Sequence, residues 1–249
     1  MANRKPLIMG VIPARYKSKR FPGKVLADIS GKPMIQHVYE RSKKSKLLND
    51  VIVATDDTRI KRAVEKFNGN VVMTSKKHKS GSDRIAEVAK KLNADIIVNI
   101  QGDEPLINPK MIDQVVTPLL HDSNIYMSTL IRKITDPKDI KNPNIVKVVV
   151  DKNNFALYFS RSMIPYQDVS ESSGAYKHIG IYAYRKDFLL KFSKMKQSKL
   201  EKIEKLEQLR VLENGYKIKV VETNYNTISV DTPKDIKKVE RTIKIGKSG

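Results

Sequence analysis

The chain reads as an α/β protein: a doubly wound, mostly parallel sheet with a smaller α+β subdomain. Three observations predict this. Through the first half, short apolar runs alternate with amphipathic helical stretches. The runs Leu7-Ile8-Met9-Gly10-Val11-Ile12, Val51-Ile52-Val53-Ala54 and Ile96-Ile97-Val98 are continuous rather than alternating, as strands buried on both faces require. The third run leads into Asn99-Ile100-Gln101-Gly102-Asp103-Glu104-Pro105. That stretch releases adjacent carboxylates at a strand's C-terminal end, the edge of an open α/β sheet where ligands sit. Taken alone it reads equally as a solvated acidic turn, and the rest of the chain has to decide.

In chain order, residues 7–12 form the first strand, and two prolines and a glycine make 13–24 a loop. Pro33 suits a helix start, with Met34, Ile35 and Val38 on one face and His37 as a structural residue. Strand 51–54 ends at Thr55-Asp56-Asp57, a helix covers 58–67, and strand 70–74 follows. Ser82 is placed as the N-cap of a helix over 83–92, with Ile85, Val88, Ala89 and Leu92 facing inward. Strand 95–100, helix 109–121 and strand 125–131 complete the alternation. The pattern then changes. Residues 145–150 and 155–160 read as a hairpin, 165–177 as a loop, and 178–184 as a strand. A single helix is expected over 199–213, with Leu200, Ile203, Leu206, Leu209 and Leu212 in one stripe and Gly215 as its stop. Strands 217–221 and 227–230 precede a last helix opened by Asp231-Thr232-Pro233. No repeat or linker interrupts this order. The expected organisation is one domain over 1–249, with a subdomain at about 132–215.

Composition excludes several classes. With no cysteine, there are no disulfides, no thiol catalysis and no Cys-based zinc site. The apolar run near the N-terminus is too short for a membrane span and lacks a signal-peptide pattern, so the expectation is a cytoplasmic protein without membrane insertion. The formal charge of +21 suggests affinity for polyanions. The lysines are spread along the whole length, there is no tryptophan, and no basic run is interleaved with aromatics. A lysine-rich surface without a specific nucleic-acid partner is the favoured reading.

Arg15, Lys17, Lys19, Arg20 and Lys24 share the loop after the first strand, where α/β nucleotide binders place phosphates. The loop lacks the Walker A pattern, and no G-x-G-x-x-G accompanies it. Its prolines restrain the cations, which suits a triphosphate. A carboxylate at the edge formed by Asp103 and Glu104 can hold Mg²⁺, which takes one or two carboxylates together with substrate phosphates. Asp231 also follows an expected strand, so both aspartates reach one edge if those strands share a sheet.

The motifs then converge. Pro13-Ala14-Arg15-Tyr16 with Pro22-Gly23-Lys24, Gly31-Lys32-Pro33-Met34-Ile35, Ala54-Thr55-Asp56, His78-Lys79-Ser80-Gly81-Ser82-Asp83-Arg84 and Gln101-Gly102-Asp103-Glu104-Pro105 occur in this order. Ala156-Leu157-Tyr158-Phe159-Ser160-Arg161, His178-Ile179-Gly180-Ile181-Tyr182, Leu206-Glu207-Gln208-Leu209-Arg210 and Val230-Asp231-Thr232-Pro233 follow. Together, from Ile12 to about Glu240, the chain resembles the 3-deoxy-manno-octulosonate (Kdo) cytidylyltransferases, or CMP-Kdo synthetases.

The resemblance implies a nucleotide-diphospho-sugar transferase-like fold and an Mg²⁺-dependent nucleotidyltransferase. Such an enzyme makes CMP-Kdo and pyrophosphate from CTP and Kdo, for lipopolysaccharide synthesis. It implies a homodimer. It places Ala14, Arg15, Arg20, Lys24, Ser80, Gly81 and Arg84 on the nucleotide. Gln101, Arg161, His178, Tyr182, Glu207 and Gln208 fall on the sugar acid. Asp103 and Asp231 fall on the metal, and Arg15, Lys24, Asp103 and Asp231 carry catalysis. Ser82 and Ser229 depart from the family's usual Thr and Gly, which bears on fine substrate choice. The alternatives are a cytidylyltransferase for a related acid, such as 8-amino-Kdo or a sialic-type sugar, and a polyanion-binding protein.

Overall fold

The first apolar run forms β1 (Ile8–Ala14), the strand around which the N-terminal part of the molecule is laid. The structure, a computed structural model, describes residues 4–18, 21–78, 80–166 and 174–245. The chain divides into two units, 1–113 with 226–249 and 114–225. The subdomain expected at 132–215 falls within the second.

In the first unit a 3₁₀ turn at Lys24–Leu26 leads to a small hairpin, β2 (Asp28–Ile29) and β3 (Lys32–Pro33). Then come α1 (Met34–Ser42), β4 (Asp50–Thr55), α2 (Thr58–Lys66), β5 (Val71–Met73), α3 (Gly81–Lys91), β6 (Ile96–Asn99) and α4 (Pro109–His121), within which the chain leaves this unit. The strands pair in parallel in the order β6-β1-β4-β5. Gly10 lies opposite Val51 on one side and Val98 on the other. Val11, Ile12, Val51, Val53, Ile97 and Val98 are fully buried, which is why these runs carry no polar alternation. Because the ladder is parallel, the loops that follow β1, β4, β5 and β6 all emerge at one edge. His37 is structural, as its position suggested: its Nε2 lies 2.8 Å from the Ile29 carbonyl.

Helix α3 starts two residues earlier than its sequence pattern suggested. Ser80, not Ser82, is the N-cap. Its hydroxyl accepts from the Asp83 amide at 3.1 Å, and the Asp83 carboxylate accepts from the Ser80 amide at 3.2 Å. This reciprocal pair needs an acidic residue three positions on, which Ser82 lacks.

The second unit holds β7 (Met127–Lys133), α5 (Pro137–Lys141), β8 (Lys147–Val150), β9 (Ala156–Ser160), β10 (Tyr176–Arg185), α6 (Lys186–Phe192), α7 (Lys199–Glu204), α8 (Leu209–Glu213) and β11 (Lys219–Glu222). Its strand order is β11-β7-β10-β8-β9, with β11 parallel to β7 and the other pairs antiparallel. The hairpin expected near 145–160 is β8–β9.

The single helix expected over 199–213 is two helices. Lys205 breaks it in the left-handed region, at φ 55°. Arg210 donates to both oxygens of Glu201 at 2.7 and 2.6 Å, and this pair is buried. In one straight helix these residues would stand roughly 13 Å apart along the axis, so the break is what lets the buried ions meet. The expected strand at 227–230 is irregular. The Val230 amide donates to the Asp103 carbonyl at 2.9 Å, and the Val230 carbonyl accepts from Lys24 at 3.1 Å, in place of a ladder. The last helix is α9 (Pro233–Ile245), with Asp231 just before its cap.

Candidate active site

The loops at the C-terminal edge of the first unit's sheet enclose a cleft of about 990 Å³. Its wall includes Ala14, Arg15, Lys24, Ser80, Gly81, Arg84, Gln101, Asp103 and Asp231, so these expected residues come together. Arg20 lies outside the described residues.

Lys24 is the hub. Its Nζ donates to Asp103 Oδ2 at 2.5 Å and to the Val230 carbonyl at 3.1 Å, and stands 3.5 Å from Asp231 Oδ1. Two aspartates far apart in sequence thus share one ammonium, and the parallel ladder explains how. Asp103 leaves the end of β6, and the Val230–Asp103 backbone bond draws Asp231 to the same place. Gly102 permits this crowding, since a Cβ there would lie 3.1 Å from the Pro13 carbonyl.

Glu104 does not share the role of its neighbour. It is buried, and Oε2 has no hydrogen-bond partner among the described residues. Burial, helped by the charge of Asp103, pushes its carboxyl up to about 8 against a smaller downward pull from Thr227. At neutral pH Glu104 is therefore mostly uncharged, and only Asp103 of the adjacent pair offers a carboxylate. That leaves Asp103 and Asp231 as the donor set. Among the described residues no group of three or more metal-ligating side chains occurs. Two carboxylates already disposed around a cation fit Mg²⁺, which keeps its remaining positions for water and phosphate oxygens.

Tyr16, in the basic loop, is held by contacts that the sequence did not reveal. The Arg59 guanidinium carbon lies 3.3 Å from the Tyr16 ring centroid, while Arg59 donates to both oxygens of Asp57 at 2.9 and 2.7 Å. These bonds hold the Asp57 carboxyl below the usual range. The Gly23 amide donates to the Tyr16 carbonyl at 2.8 Å with φ +71°, and a Cβ at Gly23 would come within 2.9 Å of the Tyr16 ring. Tyr16 and Arg59 both line the cleft. The one signal for Arg59 in sequence was an acidic residue two positions earlier, after a strand.

On the far wall Arg84 is buried, donating to Thr74 Oγ1 and lying 3.0 Å from Asp56 Oδ2. Its guanidinium is thereby held in place in the cleft wall. His78, also in the lining, meets Glu87, whose carboxylate accepts from the Ser75 amide as well. Ser80 and Gly81 stand at the N-terminus of α3, where the positive end of the helix dipole favours an anion.

The other expected sugar-acid residues belong to the second unit. His178 and Tyr182 both lie on β10, where the register against β7 shifts between Ile179 and Tyr182. That bulge brings the two rings to 5.3 Å between centroids; a regular strand would hold residues four apart at roughly 13 Å. Thr129 Oγ1 lies 2.7 Å from the Ile181 carbonyl and 3.1 Å from the Ile179 carbonyl. With its proton on a carbonyl, the hydroxyl accepts from His178 Nε2 at 3.0 Å, which makes the ring the Nε2–H tautomer. Burial lowers the His178 pKa to about 3, so the ring is neutral. Burial raises the Tyr182 phenol, and the Glu207 carboxylate adds to that. Gln208 is buried with its Nε2 unpartnered among the described residues. Glu207 and Gln208 sit between α7 and α8, not on a continuous helix. Arg161 is tied to Glu204: its Nε donates to the Glu204 carbonyl at 2.9 Å.

Comparison with known proteins gives a consistent result. A family profile described as "Cytidylyltransferase" matches residues 9–218. The chain is 56% identical to the 3-deoxy-manno-octulosonate cytidylyltransferase of Geotalea uraniireducens over 248 residues, covering 95% of this chain and 99% of the relative. It is 53% identical to the protein of the same name from Geobacter sulfurreducens, with the same coverage. Its structure resembles a CMP:2-keto-3-deoxy-manno-octonic acid synthetase solved with CTP, at a TM-score of 0.92 and 44% identity over 96% of this chain and 99% of that one.

Proposed function

The chain belongs to the cytidylyltransferase family, among the 3-deoxy-manno-octulosonate cytidylyltransferases, and from that membership we propose that it converts CTP and Kdo to CMP-Kdo and pyrophosphate. The anomeric hydroxyl of Kdo attacks the α-phosphorus of CTP. The new bond is oxygen to α-phosphorus, the bond to the bridging oxygen of the β-phosphate breaks, and pyrophosphate leaves. The product is the activated sugar for lipopolysaccharide assembly. The observation that carries this reading is the Lys24 hub: two aspartates and an ammonium at the sheet edge, inside a cleft lined by Arg15 and Arg84.

Phosphoryl-type transfer asks mainly for positioning and charge neutralisation. Arg15 and Lys24 meet the triphosphate, and the start of α3 at Ser80 and Gly81, with Arg84, meets the nucleoside. Asp103 and Asp231 are the residues that would hold Mg²⁺, which when bound would neutralise phosphate charge and lower the pKa of the attacking hydroxyl. Gln101, Arg161, His178, Tyr182, Glu207 and Gln208 bind the sugar acid. The neutral His178 ring offers it Nδ1 as an acceptor, because Nε2 is spent on Thr129.

The protein acts as a homodimer in the cytoplasm. Leu157 on the edge strand β9 and Ile203 on α7 are 60% and 65% exposed, apolar surface of the second unit that a second copy would cover. A nucleoside triphosphate substrate and a chain without cysteine suit a reducing compartment. Among the described residues no helix is long and apolar enough to cross a membrane.

The test is pyrophosphate release by purified protein with Mg²⁺ and CTP, with and without Kdo, and with 8-amino-Kdo and N-acetylneuraminate in parallel. Release that requires CTP, Mg²⁺ and Kdo together is expected. Preference for another acid would replace the substrate, and release with none of the acids would refute the reaction.

A further inference from the structure

Among the described residues Lys147 is the one fully buried lysine, and no step of the reaction uses it. It sits at the start of β8, with its stem inside the second unit. Its ammonium donates to three backbone carbonyls: Asn142 at 2.9 Å, Ile145 at 2.7 Å and Arg161 at 2.6 Å. Three donors meet three acceptors, the condition under which a buried ammonium is tolerated. Burial lowers its pKa, as does the neighbouring Arg161, while Glu204 opposes both.

The bonds around it close on Arg161. Arg161 donates from Nε to the Glu204 carbonyl at 2.9 Å and from Nη1 to the Pro143 carbonyl at 3.0 Å. Pro143 lies inside the 142–145 turn that Lys147 grips at both ends. The Glu204 carboxylate accepts from the Arg161 amide at 2.9 Å and from Ser160 Oγ at 2.5 Å. Backbone and guanidinium of Arg161 are thus both held. Among the described residues Nη2 is the one nitrogen of this guanidinium with no bond, and the side chain is partly exposed.

We propose that Lys147 and Glu204 are positioning residues, which lock the Arg161 guanidinium so that its uncommitted edge meets the carboxylate of the sugar acid. A planar fork recognises a carboxylate only in a narrow orientation, so a guanidinium anchored on two sides loses less freedom on binding. The inference rests on Arg161 being a sugar-acid residue, and its test separates the two.

KM for Kdo and for CTP would be measured in wild type, K147Q, E204Q, R161A and the double variant R161A/K147Q, with thermal melting of each. K147Q is expected to raise KM for Kdo about tenfold and to leave KM for CTP within about twofold. In the R161A background K147Q should add less than about twofold, because its effect passes through a side chain already gone. E204Q should behave like K147Q and carries the same cycle, as R161A/E204Q, if K147Q does not fold. A rise in KM for Kdo as large without Arg161 as with it would overturn the proposal, as would equal rises for both substrates or no rise at all. Unchanged KM for Kdo in R161A would end the assignment of Arg161 itself, and the positioning role with it.

Discussion

At Asp103 and Glu104 the protein places one functional group in two environments. Asp103 is partly exposed and bonded to an ammonium; Glu104 is buried and pushed up to about 8. Asp103→Asn should lower kcat by about 10²-fold or more while KM for Kdo changes by less than about threefold, read from steady-state pyrophosphate release. Near-normal turnover would remove Asp103 from the metal site. The buried titrating groups also set opposite pH slopes. Glu104 titrates higher folded than unfolded, so the stability it contributes is complete below about pH 4.5 and is lost as pH rises towards 8. His178 titrates lower folded than unfolded. Its contribution is present above about 6.5 and is lost as pH falls towards 3. Urea unfolding across this range should give His178→Gln a flatter acid limb and Glu104→Gln a flatter fall on the alkaline side. Each slope should change by up to about 1.4 kcal/mol per pH unit. Parallel profiles in wild type and variant would contradict the burial argument.

At the scale of elements, ends and interruptions carry the function. The cap of α3 fixes where the positive end of the helix dipole meets the cleft, so Ser80→Ala should cost about 1 kcal/mol in urea unfolding and should also raise KM for CTP. A change in stability with KM for CTP unmoved would make the cap purely structural. The two-residue shift in β10 and the left-handed Lys205 between α7 and α8 do comparable work in the second unit. One brings His178 and Tyr182 together, and the other frees Glu207 and Gln208 from a regular helix. Neither had a sequence signal. Period-two and period-3.6 patterns describe uninterrupted elements, and these features are interruptions dictated by partners such as Thr129 and Glu201, far away in the chain.

For the molecule as a whole, the charge of +21 is dispersed, and the cationic groups that form a site are few. Assembly is the property to test at this scale. Leu157→Glu or Ile203→Glu should shift the protein from dimer to monomer in sedimentation velocity. A wild type that sediments as a monomer would refute the homodimer directly.

The α/β class, the parallel strands of the first unit and the motifs of the cytidylyltransferases were all legible along the chain. Buried parallel strands must be continuous apolar runs, and a phosphate loop must place its cations within a few residues of a strand end. Tertiary structure alone decided the rest. The sharing of Lys24 between Asp103 and Asp231, the neutral state of Glu104, the Arg59 clamp on Tyr16 and the knot of Lys147 around Arg161 depend on distances between groups remote in sequence. They depend too on the loss of water around them. Burial and long-range contact are properties of the folded chain, so no local pattern of residues encodes them.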